Sequence, residues 1–184
     1  MKKSFAISAL SFAAIVFGTT ALQAQATAPA VATATVSIKL QDVISIDPGS
    51  AAIAENVNFV YNTASDYFTD QTISKANSLK VTSTKSFDVK VKAEQAFFKS
   101  PSHEIPVNVL TIKPSTAAGT MGGTKNTVVL STNDQTLVSG AALGSELTLN
   151  LDYTIPAAKA KSTDILGKPA GTYTQKVIYT ATTL

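Results

Sequence analysis

The stretch Gly171-Thr-Tyr-Thr-Gln-Lys-Val-Ile-Tyr-Thr-Ala-Thr-Thr-Leu184 alternates as an extended chain does. Tyr173, Val177, Tyr179 and Ala181 fall on one face, and Thr172, Thr174, Lys176, Thr180 and Thr182 fall mostly on the other. A strand this amphipathic needs a neighbour to cover its apolar side. It reads as the strand that completes a β-sandwich.

The same period of two recurs upstream. Leu147, Leu149, Leu151, Tyr153 and Ile155 alternate with Thr148, Asn150, Asp152 and Thr154. Phe87, Val89 and Val91 alternate with Asp88, Lys90 and Lys92, and Leu79 and Val81 form a short strand with Lys80 and Thr82 outward. Val57, Phe59 and Tyr61 share a face. Residues 33–46 begin with Val36, Ile38 and Leu40 in phase, then shift to Val43/Ile44 and Ile46, which places a bulge near Gln41–Asp42. Residues 105–112 shift likewise, and 127–131 and 135–138 read as two short strands around Thr132-Asn133-Asp134. Asp47-Pro48-Gly49-Ser50, Ser100-Pro101-Ser102, Thr120-Met121-Gly122-Gly123 and Gly167-Lys168-Pro169-Ala170-Gly171 carry turn chemistry. Ala51 to Glu55 and Pro156 to Lys161 read as single helical turns or loops. The expectation is an all-β fold: an immunoglobulin-like antiparallel β-sandwich of about eight or nine strands. A closed barrel is the second choice.

Lys2 and Lys3, the uncharged apolar run Phe5 to Gly18, and the small residues Ala24 and Ala26 predict a secretory signal peptide over 1–26. The apolar run is shorter than the roughly 20 residues that span a bilayer. Contact with membrane is therefore expected only during export, and the destination is the periplasm and then the cell surface. Residues 27–184 form one domain. Without Lys2 and Lys3 the chain keeps thirteen lysines against twelve carboxylates, and it has no Arg. A near-neutral surface without guanidinium forks argues against nucleic-acid binding. The absence of Cys excludes disulfides, lipidation of a Cys and a thiol nucleophile.

Little in the chain suggests catalysis. The one histidine, His103, lies in Ser100-Pro-Ser-His-Glu104 with no Gly-x-Ser-x-Gly elbow. Asp66-Tyr-Phe-Thr-Asp70 fits a calcium corner, a carbohydrate-contacting tip or an ordinary loop, but lacks the carboxylate density of a calcium loop. Gly119-Thr-Met-Gly-Gly123 reads as a turn rather than a phosphate cradle. The expectation is a non-enzymatic protein with no cofactor and no metal.

The segment 27–38 alternates Ala30, Ala32, Ala34, Val36 and Ile38 against Val31, Thr33, Thr35 and Ser37. Small apolar residues at every second position suit insertion into a groove. A tail leading into the first strand of the domain's own sheet is the other reading.

Pro169-Ala-Gly-Thr-Tyr-Thr174, followed by Val177, Tyr179 and Ala181, resembles the last strand of bacterial fimbrial subunits of the chaperone–usher type. It is similar also to spore coat U-like secreted proteins. In fimbrial subunits a Gly lies fourteen residues from the end, alternating apolar residues follow, and the penultimate residue is Tyr. Gly171 matches the Gly and Val177, Tyr179 and Ala181 the alternation, whereas Thr183 departs from the Tyr. Those subunits also often carry a disulfide, which this chain lacks. The resemblance implies an incomplete immunoglobulin-like fold, with Gly171, Tyr173, Val177, Tyr179 and Ala181 as the assembly strand and residues 27–38 as the donor. A periplasmic chaperone would first supply the missing strand, and the extension of another copy would then replace it, giving a polymer. The expected function is a secreted structural subunit of a cell-surface fibre or coat. The alternative is a self-contained secreted domain that binds carbohydrate or cell wall.

Overall fold

In the computed structural model, residue 30, residues 32–117 and residues 119–184 are described, so the expected signal segment 1–26 and the expected cleavage residues Ala24 and Ala26 lie outside them. The chain divides into two units, Met1–Lys39 and Leu40–Leu184. In the first, Ala30 and residues 32–39 carry no regular secondary structure and are exposed. All the regular structure described below belongs to the second.

In chain order the elements are β1 (Ile44–Ile46), α1 (Ala51–Ala54), α2 (Ala64–Phe68), β2 (Gln71–Ser83), β3 (Phe87–Ala93), β4 (Phe97–Lys99) and β5 (Glu104–Pro106). A 3₁₀ turn over Val107–Val109 follows, then β6 (Thr111–Pro114), β7 (Thr124–Lys125), β8 (Val128–Val129), β9 (Gln135–Ala141), β10 (Gly144–Ile155), α3 (Ala157–Ala160) and β11 (Val177–Thr183). The fold is all-β. One sheet has the order β1-β2-β10-β6-β8, a second β11-β3-β9-β7, and β4-β5 form a small third. Every pairing is antiparallel.

The alternation read from the sequence is the physical cause of the longest strands. Phe87, Val89, Val91 and Ala93 of β3 are buried while Asp88, Lys90 and Lys92 between them are not. On β10, Leu149, Leu151, Tyr153 and Ile155 are buried, with Leu147 half-covered where the strand enters the core. The hydrophobic cluster draws on both larger sheets: Leu79, Val81, Ile112, Leu149 and Leu151 from one, Phe87, Val89, Val91, Leu137 and Val138 from the other. β2 is far longer than the short strand expected around Leu79 and Val81. Its bulge explains why the pattern broke: Asn77 adopts φ 50° and donates its amide to Asn150 Oδ1 at 2.7 Å. Asn tolerates that left-handed conformation better than most residues.

Three expected strands are corrected. Residues 33–46 yield only Ile44–Ile46 as strand, with no bulge at Gln41–Asp42, and Val36, Ile38 and Leu40 are more than 80% exposed. The shift at 105–112 is the 3₁₀ turn, in which the Leu110 amide bonds the Val107 carbonyl. Val57, Phe59 and Tyr61 do share a half-buried face, but belong to no ladder. The expected helical turns near Ala51 and Ala157 are present, and α2 is an additional one. No helix among the described residues is long and apolar enough to cross a membrane.

Candidate assembly edge

β11 pairs along its whole length with β3, Val177 opposite Ala93, Tyr179 opposite Val91 and Ala181 opposite Val89. Opposed residues of an antiparallel pair share a face, so Val177, Tyr179 and Ala181 point into the core. They are only half-buried, whereas Val89 and Val91 beneath them are 0% exposed. Among the described residues, no strand is hydrogen-bonded to the other edge of β11, although the short β1 packs near it. The core is thus incompletely covered along this edge, with Ile178 and Leu184 exposed beside it.

Tyr179 has a second role. Its hydroxyl lies 2.7 Å from that of Tyr153 on β10, so a hydrogen bond joins the two larger sheets through the core. Burial pushes both phenols up, Tyr179 well above its ordinary range. Both stay neutral at ordinary pH, and one can donate to the other.

Gly171 and Tyr173, expected on the same strand, lie before it. The chain there is drawn away by other partners. Thr174 exchanges backbone hydrogen bonds with Lys99 of β4, each 2.9 Å. Gln175 Nε2 donates to the carbonyls of Gln95 at 2.7 Å and Phe97 at 2.8 Å. The Tyr173 hydroxyl donates to the Pro169 carbonyl at 2.8 Å, closing the loop that carries Gly171. The Pro-Ala-Gly-Thr-Tyr phrase therefore builds a pinned corner ahead of the strand, not the strand itself. The donor candidates Ala30, Ala32, Ala34, Val36 and Ile38 are all exposed and in no strand.

The remaining sequence candidates hold backbone. Asp66 Oδ2 accepts the amides of Asn62 at 2.8 Å and Thr63 at 2.7 Å, capping α2. The Thr63 amide first and the Asn62 amide second hold the Asp66 carboxyl below the usual range. Asp70 Oδ1 accepts the Ala157 amide at 2.7 Å at the start of α3. Among the described residues no cluster of His, Asp and Glu could hold a metal. His103 is exposed on an open cleft of 690 Å³ that Phe97, Lys99, Glu104 and Lys168 also line. The Gly119–Gly123 turn bonds to β10 through Met121 N to Thr148 O at 2.8 Å. A Cβ on Gly119 would collide with the Thr148 backbone, which is why glycine stands there.

Neither a family model nor a curated protein matches the chain.

Proposed function

We propose that the protein is a secreted structural subunit of a cell-surface fibre or coat, an immunoglobulin-like sandwich completed by a strand from a second copy. The observation that carries this reading is the edge of β11 that no ladder occupies, where side chains that belong to the core remain partly exposed.

Topology supports it. The order β1-β2-β10-β6 follows the A-B-E-D sheet of an immunoglobulin constant-type domain, with β3 and β11 in the places of strands C and F. The Tyr173 hydroxyl bonding a carbonyl four residues upstream, just before β11, has the form of the tyrosine corner that precedes strand F. In a complete domain F lies between C and G; the G place is the uncovered edge. Val36, Ile38 and Leu40 provide an exposed apolar row at strand spacing. Burying three such side chains contributes about 1.5–3 kcal/mol each before ordering costs, and ladder bonds set the register. In this reading residues 1–26 direct export, and a periplasmic chaperone covers the edge of β11 until another copy does.

Expression in a periplasm with and without residues 27–38, followed by gel filtration and electron microscopy, tests the proposal. Polymers or chaperone complexes from the full chain and non-polymerising subunits from the deletion are expected. A deletion variant that still forms fibres would overturn it. The alternative, a self-contained carbohydrate- or wall-binding domain, has its best seat in the polar cleft around His103 and Lys168. It requires a clean monomer that binds glycan or cell wall.

A further inference from the structure

The backbone between α1 and α2 has the side-chain pattern of a strand and the hydrogen bonding of none. It leaves α1 through the extended Glu55, φ −122° and ψ 142°. Val57, Phe59 and Tyr61 then pack half-buried on the core, while Asn56, Asn58, Val60 and Asn62 stay exposed. Among the described residues, Asn56 to Tyr61 make no backbone hydrogen bond. The Tyr61 hydroxyl is buried without a partner, and burial pushes its pKa to about 12.

Two bonds bracket the segment, both from residues that register places on the core face of β2. Lys75, near Leu151 in the ladder, reaches Glu55 at 2.7 Å. Gln71, opposite Ile155, donates Nε2 to the Asp66 carbonyl at 3.4 Å. β1 occupies one side of β2 only along Val81 to Ser83, so from Gln71 to Asn77 no described strand is paired on that side, β10 lying on the other. β1 also packs beside β11, so the bare edges of β2 and β11 open on the same side of the unit.

The geometry points to Glu55–Asn62 as a provisional strand, seated by side chains alone, which caps the core in the unassembled chain and yields its place when residues 32–41 of a second copy enter. The inference rests on the strand-complementation reading above. The match of occupants supports it: Val36, Ile38 and Leu40 repeat the spacing of Val57, Phe59 and Tyr61, and those three are exposed. A segment without ladder bonds can lift without breaking a sheet, whereas the incoming strand gains a ladder along β11.

The test is uptake of a fluorescent peptide of residues 32–41 by the purified full chain, compared across segment variants. Phe59→Ser is expected to speed uptake about tenfold, because even a half-buried aromatic ring contributes about a decade in an equilibrium constant. Glu55→Gln, a surface change that leaves the core intact, is expected to move the rate the same way by a smaller factor. Tyr61→Phe removes the unpartnered hydroxyl, seats the segment better and slows uptake. Amide exchange in the free chain is expected to be fast at Asn56 to Tyr61 and slow at Ile73 in β2. Peptide uptake at one rate in all variants would overturn the provisional strand and leave strand complementation standing. No uptake by any variant would overturn both.

Discussion

The Tyr153–Tyr179 contact gives the strongest expectation about how the two larger sheets are held together. The hydroxyls lie 2.7 Å apart, one from each sheet, in an environment that raises both pKa values. Tyr153→Phe leaves the Tyr179 hydroxyl desolvated and unpaired, which costs about 1–3 kcal/mol. Tyr179→Phe is expected to fall at the low end of that range, because the Ser78 hydroxyl also lies close to Tyr153. The double variant removes donor and acceptor together, so it should cost no more than the worse single variant. Urea unfolding of the four proteins at neutral pH closes the cycle, with unchanged m-values confirming that only stability moved. A coupling of about 1–2 kcal/mol is expected, which for a domain of this size is roughly 2–8 °C in Tm. Costs that simply add in the double variant would refute the bond and the role of β11 in joining the sheets.

Alkali should expose the same pair. Both phenols titrate higher in the folded than in the unfolded state, so their contribution is complete below the ordinary Tyr pKa near 10 and is lost as pH rises through the folded values. Stability should therefore decline above about pH 10, and less steeply in the double Phe variant, as read by circular dichroism. Val91→Asp places a carboxylate at a fully buried position opposite Tyr179, costs several kcal/mol and should abolish soluble protein. Thr180→Asp, exposed and opposite Lys90, should leave the melting temperature within a few degrees of the parent.

Period-two alternation was legible wherever one face meets the core and the other meets water. That is why β3, β10 and the Val177–Ala181 face could be read from the sequence. It could not distinguish a laddered strand from an extended segment that merely packs, because both bury alternate side chains; Val57, Phe59 and Tyr61 are the case in point. Alternation in residues 33–40 likewise carries no information about a partner, and the structure leaves Val36 and Ile38 exposed. The break in β2 was hidden because a bulge at Asn77 changes the phase mid-strand. Alternation puts Tyr173 on the last strand, and the fimbrial resemblance adds Gly171 to it. The bonds of Thr174 and Gln175 to the β4 region, which spacing does not encode, hold that stretch in a separate corner. Asp66 looked like a candidate ligand, yet Thr63 three residues before it was already the signature of a helix start.

The chain has no cysteine, so an introduced pair reports contact without background. Ser37→Cys or Lys39→Cys, each combined with Thr180→Cys, places one thiol on the outer face of the proposed donor and one on the outer face of β11. Oxidation followed by non-reducing electrophoresis should give a ladder of covalent multimers, strongest for one of the two pairs, because strand register sets which thiols meet. A disulfide confined to monomers, or no disulfide from either pair in material that has assembled, would contradict completion of the domain by a second copy.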